Sequence, residues 1–350
     1  MNPALHAVIE AGDDERRALF LEASGRMGAA VQYIEKDFWV CWTLDALFNG
    51  LPRGGPRLLF KGGTSLSKVF DLIPRFSEDI DATVFREDLA VGASAEELEG
   101  LSGKKRRARL DQIKAACQEY IAGALRAQFD EILDGLAESA RIPRERLRVE
   151  IDPEDPDRQS LLLWYPSATV RPGDYVRSAV KIESGAKSAL DPHVSARVRP
   201  YVDDPPGLDL TVENVTAIEP SRTFWDKVII LHGLRQWHDR RGSLRQSGRV
   251  SRHYHDLFRL LASKNADRWI EDEDLAQECA LHARMFFPST DSGLEDAVSG
   301  RFTLTPSRAM RDTLARDYAA MAGMIFGEVP SLDDVLDAVE RLEARLNARA

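Results

Sequence analysis

Asp79 and Asp81 stand two residues apart in a stretch, residues 78–84, whose polar and apolar side chains alternate. That period is the strand pattern, and it sets Asp79, Asp81 and Thr83 on one face with Ile80, Ala82 and Val84 on the other. Two carboxylates converging on one strand face repel each other unless cations sit between them, and two Mg2+ ions would relieve the repulsion. Upstream, residues 57–60 read as a short strand ended by Gly62 and Gly63, after which Thr64 or Ser65 caps a helix reaching about Asp71. The glycines let backbone amides approach a ligand without a Cβ in the way, and a helix N-terminus is electropositive, so the bend suits a phosphate. Singly, a Gly-Gly pair is also an ordinary turn and an Asp-x-Asp pair also a solvated strand edge. Together, a phosphate seat and a metal seat on adjacent strands have the shape of a nucleotidyl-transfer site.

These strands need a scaffold. Apolar positions at helical spacing across residues 14–49 predict a pair of helices, with Glu35, Lys36 and Asp37 interleaved among Ile34, Phe38, Val40, Cys41, Leu44 and Leu47. Residues 101–136 read as helical, and residues 147–151, 160–165 and 176–184 as strands separated by Pro- and Asp-rich turns. In the last of these, alternation turns Glu183 away from Ile182. Residues 208–218 extend or connect from the sheet. Beyond Pro220, helices are predicted at about 221–237, 252–264, 271–285, 306–325 and 331–349. In the first, Thr223 and Lys227 are four apart and share a face, with Trp225 and Ile229 pointing elsewhere. The chain thus divides into an α/β (α+β) domain with a mixed sheet and N-terminal helices, 1–219, and an α-helical domain, 220–350, expected to complete the site.

Composition bounds the function classes. At 350 residues the chain exceeds what one compact core usually needs. Mean hydropathy is −0.33 and no uncharged apolar run approaches the roughly 20 residues of a bilayer helix, so no membrane association is expected. With 47 Lys and Arg against 57 Asp and Glu, the net charge of −10 argues against indiscriminate coating of nucleic acid. Local basic surface remains at Lys104, Lys105, Arg106, Arg107 and Arg109, and at Arg235, Arg240, Arg241, Arg245, Arg249 and Arg252; a solvated helix face accounts for either. Residues 240–250 read as a mobile basic loop. Cys41, Cys117 and Cys279 lie far apart with no metal-ligand spacing, which suggests neither a disulfide framework nor a zinc site. The opening residues lack the basic-then-apolar pattern of an export signal, so the expected location is the cytoplasm.

Six ordered blocks add a family resemblance: Ile34-Glu35-Lys36-Asp37-Phe38-Trp39-Val40, Phe60-Lys61-Gly62-Gly63-Thr64-Ser65-Leu66-Ser67-Lys68, Arg75-Phe76-Ser77-Glu78-Asp79-Ile80-Asp81, Lys181-Ile182-Glu183, Arg222-Thr223-Phe224-Trp225-Asp226-Lys227 and Arg252-His253-Tyr254-His255-Asp256-Leu257. The chain resembles the nucleotidyltransferases of the DNA polymerase β superfamily and, within them, the AbiEii/AbiGii toxin family. The last 90 or so residues add no motif.

The resemblance implies a metal-dependent enzyme that moves a nucleoside monophosphate from an NTP, GTP or CTP, to an acceptor hydroxyl, chiefly the 3′ end of a tRNA. Asp79, Asp81 and Glu183 would bind two Mg2+ ions, with Mn2+ as a substitute. Gly62, Gly63, Thr64, Ser65 and Lys68 would hold phosphates, joined by Thr223, Lys227 and Arg252. Asp256 would hold Lys227 or Arg252 in place, or orient the acceptor. His255 departs from the family pattern and is not carried over. Glu35, Lys36 and Asp37 read as structural support, with Lys36 pairing a carboxylate. The family context is a toxin–antitoxin or abortive-infection pair whose cognate antitoxin acts either through direct contact or without it. Two alternatives stand beside this reading: a non-catalytic NTP-binding module, and nucleotidyl transfer to a protein or small-molecule hydroxyl.

Overall fold

A computed structural model of the chain describes residues 1–170, 177–244 and 249–348. The chain forms two compact units, one of residues 1–69 and 76–218, the other of residues 70–75 and 219–350. Residues 70–75, expected with the α/β part, therefore group with the helices. The reason is a pair of long-range contacts: Arg75 forms an isolated β-bridge with Ile325, and Pro74 accepts a 2.8 Å hydrogen bond from the amide of Phe326.

The first unit is built on a seven-stranded mixed sheet. Its strands are β1 (Leu58–Lys61), β2 (Asp79–Val84), β3 (Arg148–Ile151), β4 (Ser160–Trp164), β5 (Ala179–Gly185), β6 (His193–Val198) and β7 (Val212–Ile218). Their order is β3-β4-β5-β2-β1-β7-β6. β2 runs parallel to β5 and β1 parallel to β7, while the remaining pairs are antiparallel. β2 and β1 are central, and the apolar face of β2 is fully buried through Ile80, Ala82 and Val84. Burying that face fixes the register, because a slip of one residue would turn both aspartates into the core.

The helix Val31–Asp45 is buried on every side from Ile34 onward and packs on the sheet. A helix so enclosed cannot leave a charge unpaired, and each of its three charged residues in sequence has found a partner. Glu35 accepts from the Ser167 hydroxyl and the Ala168 amide, both at 2.6 Å. Lys36 meets Glu78 at 2.7 Å, and Asp37 meets Lys68 at 2.7 Å. The preceding helix, Asp13–Met27, begins with Asp13, Asp14 and Glu15 and stops at Gly28, whose φ of 64° is the left-handed conformation that ends helices.

In the second unit the helix Pro220–Arg241 opens with proline in its first turn, carries His238, Arg240 and Arg241 in its last, and ends at Gly242 with φ 69°. These are the residues that suit each end of the helix dipole. The other helices are Ser251–Leu261, Ala266–Glu271, Glu273–Phe286, Arg308–Met321 and Leu332–Asn347, the last capped by Ser331 accepting from the Asp334 amide. Phe224, Trp225, Leu231, Tyr254, Leu257 and Leu260 fill the interior.

Candidate active site

β1 delivers the chain to Gly62 and Gly63, which begin the short helix Gly62–Lys68. Gly62 has φ 80°, and a Cβ built on it would lie 2.0 Å from Oδ2 of Asp81. Both the backbone conformation and the lack of space demand glycine here. The bend and the carboxylate therefore share one place in the first unit.

The register of the strands assembles the rest of this face. Asp81 is paired with Lys61 across the antiparallel β1–β2 ladder and with Glu183 across the parallel β2–β5 ladder, while Asp79 is paired with Lys181. Glu183 thus stands beside the aspartates, with its side chain 44% exposed against 30% for Asp81. Two lysines share the cluster. Lys61 Nζ is 3.8 Å from Asp81, and Lys181 Nζ lies 3.0 Å from Glu183 and 3.1 Å from the buried carboxylate of Asp152. Burial acts to lower the pKa of Lys181, but Glu183 and Asp152 outweigh it and raise the value above the ordinary lysine range.

Three carboxylates on one face are the hard oxygen donors that Mg2+ takes. Among the described residues, no group of three or more His, Cys, Asp or Glu side chains is gathered closely enough to hold a metal ion. The donor chemistry fits the ion. Closure around it requires the solvent-facing carboxylates to turn, and Glu183 to leave Lys181.

Thr64 and Ser65 were expected to cap the helix; both lie inside its first turn instead, and the N-cap is Lys61, which makes no side-chain cap bond. The Thr64 hydroxyl donates 2.6 Å to the carbonyl of Asp79 and shares a short contact with Ser77, so it staples the helix to the start of β2. Ser65 Oγ donates 2.9 Å to the Gly62 carbonyl. Each residue is at most 1% exposed, so what the turn turns outward is backbone rather than hydroxyl.

Lys68 is placed differently from a phosphate ligand. Its side chain is 3% exposed, held by Asp37 and set 3.7 Å over the ring of Tyr201. Burial would lower its pKa, but the Asp37 carboxylate more than compensates and raises it.

The second unit carries its own charged cluster. Lys227 Nζ donates 2.8 Å to Oδ2 of Asp256, and Arg75 donates to both carboxylate oxygens, Nε to Oδ1 at 2.9 Å and Nη2 to Oδ2 at 3.1 Å. Asp256 is 1% exposed. Burial works to raise its pKa, yet Arg75 and then Lys227 hold it well below the usual carboxylate range. Burial lowers the pKa of Lys227, with Arg75 and Arg252 adding to the effect against Asp256. The neighbouring Asp226 pairs with Arg222 at 3.3 Å. Thr223 is buried on the helix that carries Lys227, and Arg252 is half-buried one turn before Asp256.

The basic stretch near residue 240 is largely spoken for. Arg235 pairs with Asp239 and Arg241 with Asp291, while Arg240 donates to the carbonyl of Thr290. Arg241 and the residues before it are helix rather than loop. Arg245 and its neighbours through 248 lie outside the described residues. Arg109 is anchored to the Gly92 carbonyl at 3.0 Å, whereas Lys104, Lys105 and Arg107 are exposed at the start of the helix Gly103–Tyr120. The three cysteines are free and buried.

Four residues of these clusters had no role in the sequence reading: Lys61, Asp152, Lys181 and Arg75. Alternation in β5 already puts Lys181 on the face of Glu183, and Lys61 is next to the glycines. Nothing local marks Asp152; Arg75 opens one of the six blocks, but its partner Asp256 lies far along the chain.

The family model "Nucleotidyl transferase AbiEii toxin, Type IV TA system" matches residues 45–341. That span omits Ile34–Val40 and takes in most of the C-terminal region where no motif was read. No curated protein matches the chain. Among solved structures, MenT4, a nucleotidyltransferase toxin from Mycobacterium tuberculosis H37Rv, is 16% identical, with 94% of this chain and 98% of that chain covered at a TM-score of 0.39. So distant a likeness says nothing of what this chain acts on. The family match rests on most of the sequence and includes the glycine bend, β2, β5, Lys227 and Asp256, and by it the chain belongs to the AbiEii family of nucleotidyltransferase toxins of type IV toxin–antitoxin systems.

Proposed function

We propose that the chain transfers the nucleoside monophosphate of GTP or CTP to the 3′-terminal hydroxyl of a tRNA, with release of pyrophosphate. The observation that carries this reading is the seating of Gly62 directly on Asp81, with Glu183 in register beside it. A bend whose amides suit phosphate and a face whose carboxylates suit a divalent cation occupy one spot. Asp79, Asp81 and Glu183 would hold two Mg2+ ions, or Mn2+, which when bound supply charge neutralisation at the attacking and leaving oxygens. The backbone at Gly62, Gly63, Thr64 and Ser65 receives the phosphates. Lys227, with Thr223 and Arg252, counters the negative charge of the triphosphate, and Asp256 fixes the ammonium of Lys227. Lys68 acts as a buried support rather than as a phosphate contact. The toxin works in the cytoplasm against a cognate antitoxin.

The test is incubation of the full chain with each α-labelled NTP, Mg2+, total RNA and cell protein. Label on tRNA 3′ ends, from GTP or CTP, is the expected result; label only in protein or small molecules overturns the RNA acceptor. Growth inhibition that survives Asp79→Ala would instead favour a non-catalytic NTP-binding module.

Gly62→Ala should cost about 1–2 kcal/mol of stability from the left-handed backbone alone, before the displacement of Asp81 by the new methyl group is counted. Transfer should fall by more than the loss of folded protein accounts for. Thermal melts and initial rates on the same sample check this, and a wild-type rate would mean that the bend and the carboxylate are not coupled.

A further inference from the structure

Lys181 stands between two carboxylates of different kinds. Asp152 follows β3, its side chain is 5% exposed, and its Oδ2 lies 3.1 Å from the Lys181 ammonium. Its other oxygen, Oδ1, accepts 2.9 Å from the Glu154 amide, and its own amide donates 2.9 Å to the Ser160 carbonyl, so the turn after β3 holds it in place. Glu183, 3.0 Å from the same ammonium, has a longer side chain that is 44% exposed. One partner is fixed and buried; the other is able to turn.

The charges decide what happens when Glu183 turns. Lys181 meets two negative charges with one positive charge, so it can give up Glu183 and remain in a neutral pair with Asp152. Neither the ammonium nor the buried carboxylate is then stranded, which is the costly outcome for a charge removed from water. With no charge at Asp152, Glu183 would be the one of the two left to answer Lys181, and the ammonium would compete with a divalent cation for the same oxygens.

We propose that Asp152 is a positioning residue for the metal site: it retains the Lys181 ammonium and so releases Glu183 to a divalent cation beside Asp81. The inference rests on the reading that Glu183 is a metal ligand. Strand register makes the device local. Lys181 and Glu183 are two apart on β5 and face the same way, and Glu183 is in register with Asp81 on one side and on the other with Ser160, whose carbonyl anchors Asp152.

The experiment is titration of the full chain with Mn2+ alone at pH 7, with free Mn2+ followed by electron paramagnetic resonance. Wild type is compared with Asp152→Asn, Lys181→Met, the two together, and Glu183→Gln, each with a thermal melt. Asparagine keeps the shape of Asp152 and its acceptor for the Glu154 amide, so the turn persists. Asp152→Asn is expected to weaken Mn2+ binding by about tenfold, and Lys181→Met to strengthen it by about threefold or more. In the Lys181→Met background the Asp152 substitution should cost less than about twofold, because no ammonium is there to retain. A merely structural Asp152 would lower the melting temperature without this dependence on Lys181, and a negative charge acting at a distance would matter equally in both backgrounds. Unchanged affinity in Asp152→Asn, or the same loss with and without Lys181, overturns the proposal. Should Asp152→Asn fail to fold, Lys181→Met decides, and affinity at or below that of wild type overturns the idea. Wild-type affinity in Glu183→Gln is a different failure, that of the reading of Glu183 as a ligand, and the proposal falls with it.

Discussion

Asp81→Asn is expected to leave the protein folded and to lower nucleotide transfer by about 10³-fold or more, equivalent to ~4 kcal/mol of transition-state stabilisation. Asparagine has the size and shape of aspartate, so the contact with Gly62 and the pairing of β1 with β2 persist. What disappears is the charge. A neutral amide is a poor partner for a divalent cation, and neighbouring Asp79 and Glu183 cannot make up the deficit from their own positions in the register. Stability should hardly move, because Asp81 is 30% exposed and its ion pair with Lys61 is long at 3.8 Å. The measurements are initial rates with labelled NTP, growth inhibition in cells and a thermal melt of the same preparation. Transfer at the wild-type rate would remove Asp81 from the site; loss of rate together with loss of fold would show that its role is structural.

Much of the first unit could be read from the chain because its elements announce themselves locally. β2 alternates strictly, β1 ends on two glycines, and the helix Val31–Asp45 carries unbroken apolar spacing. β6 was not foreseen. It is an edge strand with exposed and half-exposed residues in turn, so little hydrophobic contrast marks it. The helix Pro3–Glu10 was missed as well, although Asn2 caps it by accepting from the Ala4 amide and Pro3 occupies its first position. In the second unit the longer helices fell near their predicted positions, since proline, glycine and basic residues punctuate them, whereas the short helix Ala266–Glu271 was not foreseen. The grouping of residues 70–75 with those helices depends on contacts with Asp256 and Ile325, and no local pattern encodes a contact so far along the chain.

The candidate site divides in the same way. Facing could be read: two aspartates on one side of a strand, and Glu183 turned away from Ile182. Which strand lies next to which could not, and it is the β2–β5 register that brings Glu183 to Asp81. Hydroxyl direction was misread for a related reason. Thr64 and Ser65 follow two glycines in the manner of helix caps, but the helix begins at Gly62 itself, and that shift of two residues turns both side chains inward. The lysines were harder still. A lysine four residues past a cap reads equally well as a phosphate ligand or as a surface residue, and the Lys68 side chain is instead buried against Asp37.

That placement of Lys68 makes a sharp prediction. Asp37→Ala should destabilise the first unit by about 3–5 kcal/mol, because it strands an ammonium that is 3% exposed with no carboxylate to answer it. The aromatic face of Tyr201 at 3.7 Å offsets only part of this, and the Tyr201 amide loses its 2.7 Å acceptor on Asp37 as well. The sign of the pH dependence follows from the raised Lys68 pKa. Stability from the pair is fully present below the ordinary lysine pKa and is lost as pH rises through the higher folded value, so wild type should weaken in strong alkali while Asp37→Ala shows no such limb. Removing both charges, as Asp37→Leu with Lys68→Met, replaces the pair by apolar groups of similar bulk and should recover most of the lost stability. Urea midpoints across the four proteins measure the coupling. The doubly substituted protein also separates the two roles of Lys68: as a support, its loss leaves triphosphate affinity near that of wild type once the fold is restored, whereas a phosphate contact would be missing however stable the protein became.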